Sequence, residues 1–106
     1  MSSTNTTAAE REAERMQAAR NVLRLDGTSN DEILLRLVRA LPSYIEQATG
    51  LTEEEQADEP QCRVAEDFII QLWYMPEQID VDNTRRIIDS LLSSIRMNRN
   101  QASATN

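Results

Sequence analysis

LRLDGTSNDEILLRLVRALPSYIEQATG, residues 23–50, contains a corner and the helix that leaves it. Asp26-Gly27 makes the turn, with glycine supplying a positive φ at low cost. Ser29 followed three residues later by Glu32 has the pattern of a capping box, each side chain bonding the other's backbone amide. Leu34, Leu37, Val38, Leu41, Tyr44, Ile45 and Ala48 then recur at spacings of three and four, so a helix is expected from Asn30 to about Thr49. Gly50 follows as its C-terminal cap. Pro42 falls inside this run. It lacks the amide that would bond Val38, but the stripe continues in phase beyond it, so a kink is expected rather than a break.

Outward from this core the pattern remains helical. A first helix is expected from about Ala8 to Leu23, with a weak, mostly alanine stripe through Ala9, Ala13, Met16 and Ala19. Pro60 suits the first turn of a third helix, which carries Cys62, Ala65, Phe68, Ile69, Leu72 and Trp73 and is stopped by Pro76. A fourth helix carries Ile87, Ile88, Leu91, Leu92 and Ile95, capped by Asp82 or Asn83, with Arg96 and Arg99 at its C-terminal end. The fold class is therefore all-α, a small bundle of about four helices over residues 8–98. Residues 1–7 and 99–106 are polar and are expected to be a disordered N-terminus and a flexible C-terminal arm. The expected core centres on Leu34, Leu37, Leu41, Ile45, Phe68, Leu72, Ile88, Leu91 and Leu92. Trp73, in phase with Ile69, is assigned to it.

Composition narrows the function. The 106 residues carry a net charge of −7, no histidine and one cysteine. An acidic balance argues against a duplex DNA reader, which normally offers a basic face. The corner at 16–48 has helix-turn-helix order, but its second helix carries a leucine stripe with only Arg36 and Arg39 as cations, which suits a core element. Without histidine the usual general base and metal ligand are missing. Lone Cys62 lies on an apolar face and reads as a small buried hydrophobe. No nucleophile–base pair or phosphate loop is visible, so no enzyme, cofactor or metal is expected. No apolar run is long enough to span a bilayer.

These motifs, taken in order, resemble the small helical head–tail connector proteins of tailed bacteriophages, also called adaptor or head-completion proteins. The likeness runs over about residues 14–97. It is carried by Leu23, Leu25, Asp26, Asp31, Leu34, Leu35, Tyr44, Ile45, Glu46, Thr49 and Gly50, then by Trp73, Tyr74 and Glu77 in QLWYMPEQ, and by LLSSIR at 91–96. Pro42, Pro76 and the loop LTEEEQADEP depart from the family pattern. The resemblance implies a structural virion protein, made in the host bacterial cytoplasm and incorporated at the head–tail junction. There it forms a ring with itself, dodecameric in the virion. The ring docks under the portal protein, extends the DNA channel and meets a tail or stopper protein, with DNA passing through unread and no membrane partner. A small terminase (DNA-packaging) subunit and a small regulatory helix-binding protein are the alternatives. A basic N-terminal patch would favour the first, and Glu10, Glu12 and Glu14 oppose it.

Candidate sites follow from charge and exposure. Arg85, Arg86, Arg96 and Arg99 make the C-terminal quarter locally basic, so Arg96, Arg99 and Asn100 are candidates for portal docking. Tyr74, Glu77, Arg85 and Arg86 are candidates for subunit contacts, tyrosine suiting a half-wet interface. Glu53, Glu54, Glu55, Asp58 and Glu59 are candidates for an acidic surface or channel lining.

Overall fold

The computed structural model describes residues 7–27 and 30–104. Among them there are four long helices, one short one and no strand. In chain order these are α1 (Ala8–Leu23), α2 (Asp31–Thr49), α3 (Glu53–Ala57), α4 (Pro60–Tyr74) and α5 (Val81–Ala104), with a single 3₁₀ turn at Pro76–Gln78. The expected Ser29 cap, and the disorder expected at 1–6 and 105–106, lie outside the described residues.

Local chemistry explains most boundaries. Thr7 starts α1 through a capping box in which its hydroxyl accepts from the Glu10 amide and the Glu10 carboxylate accepts from its own. Arg24 closes α1 in the left-handed region, φ 57°, before Gly27 turns the corner at φ 77°. Asn30 stands at the N-cap of α2 without a side-chain cap bond. The dipole there is complemented by Asp31 and Glu32 in the first turn. Helix α2 runs unbroken through Pro42 and ends at Gly50, φ 85°, whose amide donates to the Glu46 carbonyl. The acidic loop folds into α3, opened by a Thr52–Glu55 capping box. Glu59 and Pro60 begin α4.

The start of α5 differs from expectation. Its cap is Asp80, whose carboxylate accepts from the Asn83 amide. Asp82 and Asn83 are already in the first turn, and Val81 leads the helix. α5 also continues to Ala104, past residue 98, where the sequence reading ends the ordered domain. It meets no glycine or proline, and Gln101 and Ala102 are good helix formers.

The core lies between α2, α4 and α5. Leu34, Val38, Leu41 and Ile45 of α2 face Cys62, Ala65, Ile69 and Ile70 of α4 and Ile88, Leu92 and Ile95 of α5. Leu37, Phe68, Leu72 and Leu91, expected at its centre, are half-buried and pack on its flanks. The steps Leu34–Val38–Leu41–Ile45 put Val38 on the inward line and turn Leu37 aside. Trp73 is also half-buried, as is Tyr74. Ile69 and Ile70 fill the interior that Trp73 was expected to reach. Its ring instead meets the exposed Tyr44 edge to face, centroids 5.5 Å apart.

α2 and α4 form the middle of the molecule. α1 packs on one flank of this pair and α5 on the other. The result is a slab with principal extents of 48 × 35 × 17 Å.

Candidate functional site

The charged side chains divide into two groups. One is a network that binds α1 to the body. The other is a set of exposed arginines on α5, interspersed with the exposed Asp82 and Asp89.

The network centres on Arg15. It lies on the inward line of α1 with Ala19 and Leu23 and is only 6 % exposed. Its Nε donates to Glu66 Oε2 at 3.0 Å and its Nη1 to Glu53 Oε2 at 3.1 Å. Arg11 also approaches Glu53, and Arg63 reaches both Glu14 and Glu66. Glu12 pairs with Arg39 of α2, and Arg20 with Asp31 at its start. The alanine stripe expected inward on α1 turns partly outward, since Ala9 and Ala13 are exposed. A cleft of about 400 Å³ opens beside Arg15, walled by α1, the end of α3 and the start of α4.

Burial pushes the Glu66 carboxyl above its ordinary value, against the opposing pull of Arg15. Burial also raises Asp67, opposed by Arg63. The Cys62 thiol is pushed up to about 12 by burial and by Glu59 and Glu66. It is therefore protonated near neutrality and a poor nucleophile. No group of three or more metal-ligating side chains occurs among the described residues. No helix among them is long and apolar enough to cross a membrane.

Three of the acidic candidates have partners within the chain. Glu53 is half-buried against Arg15, Glu55 caps α3, and Glu59 accepts from the Gln61 amide at the start of α4. Glu54 and Asp58 are exposed. Within this segment, buried Gln56 donates to the carbonyls of Pro42 and Leu51, tying α3 to α2. The sequence reading singled out neither Arg15 nor Glu66, so their pairing is a finding of the structure. The one available signal was that Glu66 continues the Cys62–Ala65–Ile69 stripe.

The C-terminal candidates are solvent-facing. Arg85, Arg86, Arg96, Arg99 and Asn100 are all exposed on α5, and Glu77 is exposed in the 3₁₀ turn. Arg99 leans back on the body. Its guanidinium lies so close to Gly50 that a Cβ there would be 3.3 Å away. This sets a cation at the C-terminal end of α2, where the helix dipole favours one. Tyr74, half-buried at the end of α4, is separated in sequence from the α5 arginines by the 3₁₀ turn. No family model, curated protein or solved structure matches this chain.

Proposed function

We propose that the chain is a structural subunit of a phage head–tail connector ring, docking under the portal and extending the DNA channel toward the tail. The observation that carries this reading is the ordered run of connector-like motifs over residues 14–97 on an all-helical chain. Three of those motifs coincide with structural joints: Asp26 lies in the α1–α2 corner, Gly50 closes α2, and Trp73-Tyr74 closes α4. The slab shape and the modest core are consistent with a protein that gains burial from neighbours. The acidic balance suits a channel through which DNA slides without adhering. The buried, protonated Cys62 gives no support to a catalytic alternative.

The test is co-assembly. Purified protein, mixed with portal rings encoded in the same genome, should co-sediment with them and add an axial ring of density in electron micrographs. Failure to bind portal rings at any concentration or ionic strength would remove the connector reading.

A further inference from the structure

Helix α1 meets the body through matched charges along its whole length. Arg11 approaches Glu53 of α3, Glu12 meets Arg39 of α2, and Glu14 meets Arg63 of α4. Arg15 bonds Glu53 and Glu66, and Arg20 bonds Asp31 at the start of α2. The signs along α1 thus run plus, minus, minus, plus, plus, and the body answers each with its opposite. Apolar contacts are few: Ala19 and Leu23 are buried, and Met16 and Val22 are half-buried. These residues belong to the same cluster as Leu34, Val38 and Ile70, so a body without α1 exposes apolar surface. The complement of that surface, in charge and in shape, is an α1.

The corner that folds α1 back is held at a cost. Residues 24–30 join α1 to α2, and the two helices pack against each other. Arg24 adopts φ 57° and ψ 45°, the one non-glycine residue with positive φ among the described residues. A residue with a Cβ enters this left-handed region only against steric repulsion. Two backbone bonds close the corner there, from the Arg24 amide to the Asn21 carbonyl and from the Leu25 amide to the Arg20 carbonyl. Opening it frees Arg24 from the left-handed region and swings α1 off its own body.

From the charge match and the corner together we infer that α1 exchanges between copies. Opened at Arg24, it docks on the body of a second copy and makes there the contacts it makes on its own. Exchange of an identical element is a low-cost route to assembly, because no new surface has to fit. The docking contacts are the same within a chain and between chains, so their energies cancel. The corner and the protein concentration then set the balance. Reciprocal exchange closes a dimer, and one-way exchange passed from copy to copy closes a ring or extends. Closure into a ring rests on the connector reading, whereas the exchange does not.

Full-length chains test this at the corner and at the charges. In sedimentation velocity wild type should self-associate as concentration rises. Arg24→Gly makes the closed corner easier to hold and should weaken association about tenfold. For the charges, one variant carries Glu12→Arg and Arg15→Met, which mismatch α1. The other carries Arg39→Glu and Glu66→Leu, which mismatch the body. In either variant alone, α1 meets the wrong partners on its own copy and on any neighbour. In a mixture, the α1 of the second returns to the unaltered body of the first, and the altered α1 of the first meets the altered body of the second. Native mass spectrometry of the mixture should show mixed species, with association about tenfold or more above either variant alone. Glu12→Arg against Arg39→Glu repeats the test with the buried residues intact, so an unfolded variant does not end it. A mixture that associates no better than its parts, an Arg24→Gly chain that associates like wild type, or a wild type that never associates would each overturn the inference. Portal binding, followed in parallel, separates the two readings. Portal binding by a chain whose α1 does not exchange leaves the connector and rejects the exchange. Exchange without portal binding does the opposite.

Discussion

Helix α1 and the α2–α4–α5 core are joined to the same molecule by different physics. The core is apolar: Leu34, Val38, Ile45, Ala65, Ile69 and Ile95 are all at most 1 % exposed. α1 buries only Ala19 and Leu23 fully as apolar residues, and between them and its N-terminus lies a buried guanidinium. Its hold on the body runs through Arg15 to Glu66 and Glu53, Glu12 to Arg39, Glu14 to Arg63 and Arg20 to Asp31. Apolar burial stabilises roughly in proportion to area and is indifferent to pH. A buried ion pair must first offset the desolvation of both charges. α1 is therefore the element whose attachment responds to solution conditions, and the core is the part that does not.

The largest effect that could break this contrast lies in the core. Leu34→Ala should cost about 4 kcal/mol in urea unfolding, because a fully buried leucine leaves a cavity that helices on three sides do not close. A cost below about 1 kcal/mol would mean that α2 is not the centre of the fold.

The next effect is at Arg15. Arg15→Met leaves buried Glu66 with only the longer contact to Arg63 and should cost about 3 kcal/mol near neutral pH. Adding Glu66→Leu should recover most of that loss, because no uncompensated charge remains. A double variant as unstable as the single one would show that packing around Arg15, rather than its charge, holds α1.

The smallest effect is a pH slope. The Glu66 carboxyl titrates above its ordinary value near 4.5 in the folded chain. Its favourable contribution is thus complete below about 4.5, where both folded and unfolded chains hold the proton, and is lost as pH rises through the folded value. Unfolding free energies measured from pH 4 upward should fall less steeply in Glu66→Gln than in wild type. Equal slopes would place the titration elsewhere, Asp67 being the other carboxyl that burial raises.

Legibility in the sequence follows the same division. The helices that build the apolar core were readable from spacing, and Gly50 and Pro60 marked ends that the structure keeps. The inward line of α1 was not, because a stripe of alanines has little direction and arginine at position 15 resembles a surface residue. The cap of α5 was read two or three residues late, at Asp82 or Asn83, since Asp80, Asp82 and Asn83 are all good caps and only the backbone path selects Asp80. The acidic loop looked solvated, yet three of its carboxylates are used in caps or in the Arg15 network. Carboxylates at caps and on open surface have the same composition, so only tertiary context separates them.

The Arg15–Glu66 contact has one more consequence, for register. The apolar contacts of α1 are few, with Ala19 and Leu23 buried and Met16 and Val22 partly so, and they discriminate weakly against a slide of one turn. Slide α1 one way, and Arg15 falls where Ala19 now packs, with a guanidinium pressed into an apolar wall. Slide it the other way, and Ala19 faces Glu66, leaving a buried carboxylate with only Arg63 of its own helix, 3.6 Å away, to meet it. Each misfit leaves a buried charge wholly or partly uncompensated, at a cost of up to ~3–5 kcal/mol. The pair works as a key: it contributes little net attraction, but it admits one alignment of α1 and rejects its two nearest neighbours.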